Sequence, residues 1–497
     1  MLRAAPPKVL IVDLNNFSRY PTVSVGIMAA VLRQAGHEVD VFSPLAYGVP
    51  GVPREPAARP WGLLDQRLRY RTAMSTSKAL KQLHAAAASW RTPARGRTSR
   101  RILEALDRHL ADRPDVVLVS TYLMYFDVCS EITHRCKQLG IPVVIGGSYL
   151  NDPDVSDAWL EVGPLQGLVG GEVELDLPEI VRDVAAGISL AGRPGVCVPG
   201  SRWSIPAPPL KDLDAVPFPD YSDFPWDSYP NRIVPMITGR GCGWGVCTFC
   251  SDVTSAMGRT FRSRTPANVL DEIEHQSRAC HSNQFVFTDL KLNSSLPMWR
   301  AVLDGTQHRS PGSQWIASVH VGSQGDNGLS PEELRAARRA GMVRLTTGLE
   351  SGSQRVLDRM AKGADPQISS RFLGDAARAG ISVRTTMIIG YPGETESDLQ
   401  ETARFLDRHA DFIERVALNR FSIIMGTQIH RRLLENPSRH RDLTDYESDA
   451  RMGFVAHRFR TAESARYRRA VDEVLSAAHR INRRKLRADA SSFEGVM

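Results

Sequence analysis

Three cysteines lie close together in the segment 236–250, which reads Met-Ile-Thr-Gly-Arg-Gly-Cys-Gly-Trp-Gly-Val-Cys-Thr-Phe-Cys. Cys242, Cys247 and Cys250 therefore share one glycine-rich loop of nine residues. A structural zinc site takes four protein ligands, usually as two pairs. Iron–sulfur clusters are held by cysteine thiolates, and a 4Fe–4S cluster held by three of them leaves one iron open for another ligand. The spacing therefore predicts that these three cysteines hold a 4Fe–4S cluster.

The other four cysteines do not form a second pair suited to zinc. Cys197 and Cys280 are isolated, and Cys129 and Cys136 fall on a predicted helix of a different domain. An odd number of cysteines without an export signal argues against a disulfide framework. The sequence also has no apolar run of about 18 residues, the length that would cross a membrane. These features predict a cytoplasmic protein with no membrane partner.

Length and charge limit the remaining classes. A chain of 497 residues is long enough for about three domains. The net charge of +7 comes from arginines scattered through predicted helices, a pattern typical of solvated helix faces. No RNA-binding module and no internal repeat is recognisable. The composition therefore disfavours nucleic acid as a partner.

The first part of the chain alternates strands with helices. Apolar runs of strand length fit parallel strands that are buried on both faces. Such alternation predicts a doubly wound, Rossmann-like parallel sheet over residues 1–194. Strands are predicted at 8–13, 38–43, 115–120, 142–145 and 165–169, and helices at 25–35 and 128–139.

Ligands of doubly wound sheets bind beyond the carboxyl ends of the strands. Small residues at these ends let a flat ligand approach the backbone. There is no G-x-G-x-x-G after the first strand, which counts against a dinucleotide. The candidate contacts are Asn15, Ser120, Thr121, Gly146, Gly147, Gly170 and Gly171.

An insertion of about residues 46–97 interrupts this first domain. Its part from 48 to 60 is rich in Gly and Pro and indicates a loop, whereas 78–90 and 98–111 are predicted helices. The second of these helices serves as the normal crossover. The insertion either covers the cofactor or substrate or elaborates the surface, and the sequence leaves both open.

A proline-rich linker at 195–230 leads to a second alternating region at 231–425. Its six strands and intervening helices predict a partial (β/α)6 barrel, with the cysteine loop at the carboxyl end of the first strand. Residues 426–497 are predicted to form a basic helical segment. Strands are predicted at 232–237, 284–289, 314–319, 343–349, 382–389 and 416–424, and helices at 266–280, 331–339, 353–360, 367–378 and 397–409.

This second region resembles the radical S-adenosylmethionine enzymes over about residues 232–425. That family holds its cluster by C-x3-C-x2-C, whereas this sequence reads Cys242-x4-Cys247-x2-Cys250. The segments 347–353 and 387–394 resemble those that contact S-adenosylmethionine. The resemblance implies cofactor contacts at Phe249, Glu350, Ser351, Ile388 and Gly390, a catalytic role for Asp289, and an electron donor such as flavodoxin or ferredoxin.

Arg384 is a second candidate catalytic residue. A guanidinium on the fifth barrel strand can bind a carboxylate in a bidentate manner. A salt bridge at the edge of the core is an equally good interpretation of this arginine.

Residues 7–190 resemble the cobalamin-binding domain found ahead of many radical enzymes. The resemblance rests on Leu-Arg-x-Ala-Gly-His-Glu-Val, Pro-Asp-Val-Val, Val-Ile-Gly-Gly and Gly-Glu-x-Glu, in that order. The histidine motif D-x-H-x-x-G of that domain is absent. This implies cobalamin bound without a histidine as its lower ligand.

Together, the two resemblances imply C-methylation of an unactivated carbon in a specialised metabolite or a modified peptide. A primary radical would remove hydrogen, and methylcobalamin would deliver the methyl group. One alternative is cobalamin-dependent rearrangement, cyclisation or oxidation without methyl transfer. Another is a non-catalytic cobalamin sensor or scaffold, which the longer cysteine spacing would suit.

Overall fold

The computed structural model describes residues 6–14, 19–51, 53–54, 57–73, 96–201, 206–251, 261–323, 325, 327–437 and 443–496. Asn15 and the predicted helix 78–90 lie outside these residues. Among the helices formed by the described residues, none is both long and apolar enough to cross a membrane.

The N-terminal domain is built on a six-stranded sheet in the order β2-β1-β3-β4-β5-β6. Its first five strands are parallel, as predicted, and Val9 to Val12 of the first strand are fully buried. The last strand runs antiparallel and falls in the predicted linker. The strands are β1 Lys8–Asp13, β2 Glu38–Phe42, β3 Val116–Ser120, β4 Val143–Gly146, β5 Gly167–Val169 and β6 Val196–Cys197.

Three described helices of this domain were not predicted from the sequence, namely Gly62–Ala73, Pro153–Trp159 and Leu177–Ala185. Helix α2 crosses the predicted insertion, and its apolar residues do not follow one clear helical stripe, which is why periodicity did not reveal it. The helices are α1 Val23–Gln34, α2 Gly62–Ala73, α3 Arg97–Ala111, α4 Phe126–Leu139, α5 Pro153–Trp159 and α6 Leu177–Ala185.

The second domain is an open barrel of six parallel strands in the order β14-β13-β12-β11-β10-β7. The carboxyl ends of these strands form one rim, and parallel β/α barrels carry their catalytic residues on this rim. A two-stranded ribbon, β8 with β9, follows the first strand. The strands are β7 Ile233–Met236, β8 Gly239–Arg240, β9 Arg262–Ser263, β10 Gln284–Phe287, β11 Gln314–Val319, β12 Met342–Glu350, β13 Ser382–Ile389 and β14 Arg415–Arg420.

Among the described residues, six helices connect the barrel strands. The prediction missed the helix between β10 and β11, and the others begin and end within one residue of their predicted bounds. They are α7 Pro266–Ala279, α8 Leu296–Arg309, α9 Pro331–Arg339, α10 Gln354–Arg359, α11 Pro366–Arg378 and α12 Glu396–Arg408.

The C-terminal segment is only partly helical. A three-stranded antiparallel sheet in the order β15-β17-β16 precedes its long helix, because the chain leaving the barrel pairs with a later strand. The elements are β15 Ile423–Ile424, α13 Gln428–Glu435, β16 Leu443–Asp449, β17 Phe454–Phe459 and α14 Ala465–Asn482. Short 3-10 turns lie at Pro44–Tyr47, Leu123–Tyr125, Ser148–Asn151, Leu160–Val162, Glu174–Asp176, Trp226–Ser228, Leu292–Ser294, Arg460–Glu463 and Ala488–Phe493.

Helix α14 covers the open edge of the barrel at β14. The Asn482 side chain accepts a hydrogen bond from the Val416 amide at 2.7 Å and donates one to the Val416 carbonyl at 2.8 Å. An amide side chain therefore satisfies both backbone groups of this edge residue. Covering an edge strand in this way prevents it from pairing with another chain.

The last residues close the opposite end of the barrel. Phe493 and Val496 are buried in a cluster with Ile233, Val286, Ile316, Val343 and Tyr20. Arg344 Nη1 donates to the Phe493 carbonyl at 3.1 Å, and Arg415 Nη2 lies 2.6 Å from Glu494 Oε1. The final turn thus completes the core beneath the first four barrel strands.

Replacing Phe493 with alanine should destabilise the barrel. The side chain is fully buried, so its loss removes apolar contacts and leaves a cavity that typically costs about 3–5 kcal/mol. Thermal unfolding should show a lower midpoint for Phe493→Ala. The control Leu434→Ala removes a side chain that is 66% exposed, and it should leave the midpoint nearly unchanged. Equal midpoints for both variants would contradict the proposed packing.

Candidate functional site

The cysteine loop leaves β7 and turns over the barrel rim. Cys242 and Cys247 are nearly buried, and Cys250 is half-buried. Gly245 has a φ of +58°, a conformation that a residue without a Cβ adopts without strain. The Trp244 indole leaves the loop and donates to the Ala361 carbonyl at 2.8 Å. The residues of the longer gap are therefore held in a definite conformation by a contact across the rim.

Thr248, between the last two cysteines, attaches the loop to two other rim segments. Its amide donates to the Met360 carbonyl at 3.0 Å, and its hydroxyl lies 2.6 Å from that of Tyr391. Thr248 is buried. These contacts fix the loop against the ends of α10 and β13.

Asp289 fixes the entrance of the loop. Its carboxylate accepts hydrogen bonds from the Thr238 amide, the Thr238 hydroxyl and the Gly239 amide, at 2.8 to 3.1 Å. Burial raises the pKa of Asp289 to about 6, although these hydrogen bonds favour the carboxylate. The contacts make Asp289 a positioning residue for the segment that precedes the cysteines, and its catalytic role stays a prediction.

A buried ion pair joins two of the segments that the sequence singled out. Lys362 Nζ lies 2.9 Å from Glu350 Oε1, and both side chains are 7% exposed. The same ammonium lies 5.9 Å from the centroid of the Phe249 ring. Burial alone would lower the pKa of Lys362, but Glu350, together with Cys247 and Cys250, raises it. The predicted contacts Phe249 and Glu350 are therefore brought together, around a lysine that the sequence had not indicated.

A second buried lysine lies beside the cysteines. Lys291 Nζ is buried and makes no hydrogen bond at normal geometry to the described residues. Burial and repulsion from Lys362 lower the pKa of Lys291, while the thiols of Cys242 and Cys247 oppose this shift. An ammonium in this position is suited to an anionic group bound between the cysteines. No local pattern around Lys291 in the sequence would have revealed it.

The donor set fits a 4Fe–4S cluster. No disulfide joins the seven cysteines, all of which the structure describes. Within the described residues, no three His, Cys, Asp or Glu side chains converge on one metal ion. A cubane cluster takes one cysteine per iron, so its sulfur ligands surround the cluster instead of meeting at one point. Three cysteines with two buried ammonium groups nearby suit such an anionic cluster.

The remaining predicted cofactor contacts on the rim differ in their surroundings. Ser351 is buried, and its hydroxyl accepts from the Ser353 amide at 3.1 Å. Gly390 has a φ of +84° and open space where a Cβ would lie. Its amide donates to Glu394 Oε2 at 2.7 Å, and burial raises the pKa of Glu394 to about 7. Ile388 is half-buried between these segments.

Arg384 lies inside the barrel wall. It is 7% exposed and is paired in register with Thr346 of β12 and Arg415 of β14. Its catalytic role stays a prediction.

The predicted contacts of the N-terminal domain lie at its carboxyl edge, but protein surrounds several of them. A Cβ on Gly147 would lie 2.7 Å from the Thr121 carbonyl oxygen, and one on Gly170 would lie 2.3 Å from the Leu150 backbone. A Cβ on Gly171 would lie 2.6 Å from Ala207. Close protein packing therefore accounts for these three glycines. Ser120 and Gly146 end their strands, as predicted.

A cavity of about 480 Å³, which we call the interdomain cavity, lies between this edge and the barrel. Tyr122 and Tyr149 line it from the N-terminal domain. Tyr122 directly follows the predicted contact Thr121, and Tyr149 lies two residues after the predicted contact Gly147. Arg420 and His457 line it from the other side. The Tyr149 hydroxyl lies 3.2 Å from that of Ser251, which follows the cysteine loop. A cleft beyond the carboxyl ends of a doubly wound sheet, with both aromatic and polar side chains in its walls, is a typical place for a ligand.

Comparison with known sequences places these residues in a family context. The Radical SAM superfamily model matches residues 236–406. A protein of Pyrococcus horikoshii named as an uncharacterized methyltransferase is 28% identical over 306 residues, covering 59% of this chain and 64% of that protein. The anaerobic magnesium-protoporphyrin IX monomethyl ester cyclase of Rubrivivax gelatinosus is 26% identical over 274 residues, covering 52% and 47%. The chain spans less than two thirds of either relative.

Two solved structures share the architecture of nearly the whole chain. The cobalamin-dependent S-adenosylmethionine radical enzyme OxsB, with aqua-cobalamin bound, superposes with a TM-score of 0.68 at 17% identity, covering 91% of this chain and 64% of that one. The radical S-adenosylmethionine methyltransferase TsrM of Kitasatospora setae, with cobalamin and a 4Fe–4S cluster, gives 0.63 at 16% identity, covering 86% and 78%. At these identities the likeness establishes the shared two-domain fold.

Replacing Asp289 with asparagine should reduce cluster loading. An amide has one acceptor oxygen where the carboxylate has two, and its NH2 group would replace Oδ2, which accepts from the Thr238 amide at 3.1 Å. We expect less iron per chain after anaerobic reconstitution and a stability loss of about 1–3 kcal/mol. Asp304→Asn, at an exposed helix position, is the control. Normal iron content in Asp289→Asn would show that this carboxylate is not needed to position the loop.

Replacing Glu394 with glutamine should change how stability depends on pH. The pKa of this buried carboxyl is raised from 4.5 to about 7, so its ionisation increasingly disfavours the folded state as pH rises through that range. Glutamine cannot ionise. Glu394→Gln should therefore raise the free energy of unfolding at pH 8 by on the order of 3 kcal/mol, and the melting temperature should rise with it. At pH 5 both increases should be much smaller.

The exposed Glu435 provides the control for this pH effect. Glu435→Gln should leave the pH profile of the melting temperature unchanged. If the pH profiles of the wild type and Glu394→Gln were parallel, they would contradict a buried Glu394 carboxyl with a raised pKa.

Proposed function

Because residues 236–406 form a radical S-adenosylmethionine domain, we propose that the protein methylates an unactivated carbon of a small molecule or peptide, using a 4Fe–4S cluster, S-adenosylmethionine and cobalamin. The observation that carries this proposal is the position of the cysteine loop. The loop, which includes Phe249, lies on the barrel rim beside Glu350 and Lys362. Tyr149 connects it to the interdomain cavity. Sites for the cluster, the nucleoside and a second large cofactor thus adjoin one another.

The rim residues take distinct roles in this proposal. Cys242, Cys247 and Cys250 hold the cluster. Glu350 offers its second carboxylate oxygen to the nucleoside hydroxyls, because Oε1 is already bound by Lys362. Phe249 supplies an aromatic face for the adenine. The open space at Gly390 leaves backbone accessible along the purine edge.

When bound, these cofactors would supply a primary carbon radical able to take hydrogen from an unactivated C–H bond and a methyl group for that carbon. The chain contributes position and shielding. The Glu350–Lys362 pair and Thr248 are themselves shielded from bulk water. A one-electron donor such as flavodoxin or ferredoxin would reduce the cluster.

The names of similar proteins favour methyl transfer but do not establish it for this protein. A methyltransferase name accompanies both the Pyrococcus horikoshii protein and TsrM. The Rubrivivax gelatinosus cyclase favours the alternative, a radical reaction without methyl transfer. Incubation with S-adenosylmethionine labelled in its methyl group separates the two, because only methyl transfer places the label in the product.

Replacing Cys247 with alanine should abolish formation of 5′-deoxyadenosine. The variant lacks one of three predicted cluster ligands, so the reconstituted protein should contain less iron and lose the broad absorbance of the cluster near 400 nm. The reaction contains reductant, cobalamin and labelled S-adenosylmethionine, and the nucleoside is quantified by chromatography. Cys280→Ala, a buried cysteine at the end of α7, should behave like the wild type.

Formation of 5′-deoxyadenosine by Cys247→Ala at the wild-type rate would overturn the proposed cluster ligation. A wild-type protein that holds no iron and forms no 5′-deoxyadenosine would favour the sensor or scaffold instead.

A further inference from the structure

Two arginines face each other at the base of the cysteine loop. Arg240 of β8 and Arg262 of β9 are direct cross-strand partners in the two-stranded ribbon. The chain between these two strands carries Cys242, Cys247 and Cys250. Like charges directly opposite each other on paired strands are destabilising. Carboxylates close to both guanidinium groups are therefore needed to keep the ribbon paired.

The N-terminal domain supplies such carboxylates. Arg262 binds Glu172 through both nitrogens of its fork, with Nη1 2.8 Å from Oε2 and Nη2 2.7 Å from Oε1. Arg240 Nη1 lies 3.2 Å from Glu172 Oε2 and 2.9 Å from Glu174 Oε1. Bidentate pairing makes the contact between an arginine and a carboxylate both strong and directional. We call these four residues the interdomain clamp.

Partial burial strengthens the interdomain clamp. Its four side chains are 16 to 27% exposed, so water and salt screen them less than they screen an ion pair at the surface. Burial alone would raise the pKa of Glu172, but Arg262, Arg240 and the Leu210 amide lower it. The Glu172 carboxylate is therefore held in its charged form beside both arginines.

The linker between the domains is bound into the same contacts. The Leu210 amide donates to Glu172 Oε2 at 2.9 Å, and the Leu210 carbonyl accepts from Arg262 Nη1 at 2.6 Å. Domains joined by a linker move relative to each other by default, unless specific contacts hold them. The interdomain clamp provides such contacts, because it joins the N-terminal domain, the linker and the ribbon of the barrel domain.

The interdomain clamp uses a sequence pattern that marks the N-terminal domain. The Gly-Glu-x-Glu pattern at 171–174 supplies both carboxylates. A Cβ on Gly171 would lie 2.6 Å from Ala207, so glycine lets the linker pack closely against this turn. The two glutamates that follow reach the barrel domain. The pattern therefore has a role in joining the two domains.

A second contact from the same edge of the N-terminal sheet reaches the other side of the loop. Tyr149 follows β4, and its hydroxyl lies 3.2 Å from that of Ser251, the residue after Cys250. The N-terminal domain thus contacts the chain both before the first cysteine and after the last one. These contacts fix the loop relative to the sheet edge that borders the interdomain cavity.

An exposed ion pair between the N-terminal domain and the C-terminal segment offers a comparison. Arg451 lies 2.8 Å from Glu161, and the two side chains are 54% and 67% exposed. Exposed pairs of this kind contribute little to stability, because water and salt screen them. This pair involves neither the ribbon nor the cysteine loop. Its loss therefore provides a matched control.

We propose that the interdomain clamp positions the cysteine loop against the N-terminal domain, with Glu172 and Glu174 as positioning residues for the cluster. A further consequence, a fixed distance between the cluster and cobalamin, rests on the proposed function. The fixing of the loop does not, because the ion pairs hold the ribbon whether or not either cofactor is bound.

Hydrogen exchange of the full-length protein, followed by mass spectrometry, tests the interdomain clamp. Glu172→Gln keeps the size of the side chain but removes its charge, so amides in 238–251 should exchange about fivefold faster or more, through local opening of the ribbon. Glu174→Gln should show a smaller increase in the same segment. Glu161→Gln is the matched control and should exchange as the wild type does. Amides of β12 should keep their wild-type rates in every variant, which separates local opening from global destabilisation.

A double variant distinguishes the interdomain clamp from the loss of a single contact. In Glu172→Gln the two arginines remain opposite each other with one carboxylate fewer. Removing the Arg262 charge as well relieves this repulsion. Exchange in 238–251 should therefore be slower in Glu172→Gln/Arg262→Gln than in Glu172→Gln alone.

Circular dichroism confirms that each variant is folded, and Glu174→Gln decides the matter if Glu172→Gln is not. Wild-type exchange rates in the folded clamp variants would overturn the proposal. Equal increases in Glu172→Gln and Glu161→Gln would also overturn it, as would a double variant that exchanges faster than Glu172→Gln.

The consequence for the cofactors has its own measurement in the protein reconstituted with cluster and cobalamin. A reduced cluster and cobalt(II) each carry unpaired electrons, and their magnetic coupling depends on the distance between them. Electron paramagnetic resonance should show one defined coupling in the wild type and a broader distribution in Glu172→Gln. Unchanged coupling alongside faster loop exchange would refute a role in spacing the cofactors. A wild type that binds neither cofactor, with variants that still show the expected exchange, would refute the proposed function and leave the interdomain clamp standing.

Discussion

The rim of the barrel depends on one buried ion pair, Glu350 with Lys362. Removing two charges from water is costly, and such a pair persists only when its remaining polar atoms are also satisfied. Here the Thr386 hydroxyl lies 3.3 Å from both Glu350 oxygens, and the Phe249 ring faces the ammonium. Loss of either partner would leave an uncompensated buried charge, at a cost of about 3–5 kcal/mol. The pair thereby holds the cysteine loop, the end of β12 and the turn after α10 together.

The C-terminal segment makes an open barrel stable enough to carry this rim. An open sheet has unpaired edges, and its core lacks cover at one end. Asn482 satisfies the backbone of Val416 at the edge, while Phe493 fills the base beneath the first four strands. The antiparallel sheet before α14 reaches back to the interdomain cavity. One segment thus closes the base, covers an edge and borders the interdomain cavity.

Local patterns in the sequence predicted much of this arrangement. The alternation of strands and helices gave both parallel sheets, because a buried parallel strand is a continuous apolar run. Helix α2 was not predicted because its apolar residues form no single stripe along the helix. The strands of the C-terminal segment were missed because β16 is mainly polar and β17 is stabilised in part by pairing with the more distant β15. Glycines 147, 170 and 171 were correctly placed at the strand ends, but protein atoms occupy the space beside them.

The sequence by itself determined the fold class and predicted the cluster ligands and the rim segments, because periodicity and close spacing are properties of neighbouring residues. Tertiary structure decided which charges surround those ligands. Lys291 and Lys362 come from separate segments that no short pattern connects to the cysteines. It also decided that helix α2, strand β14 and helix α14 line one cavity. A cavity exists only where distant elements pack, so its lining becomes visible only once the chain has folded.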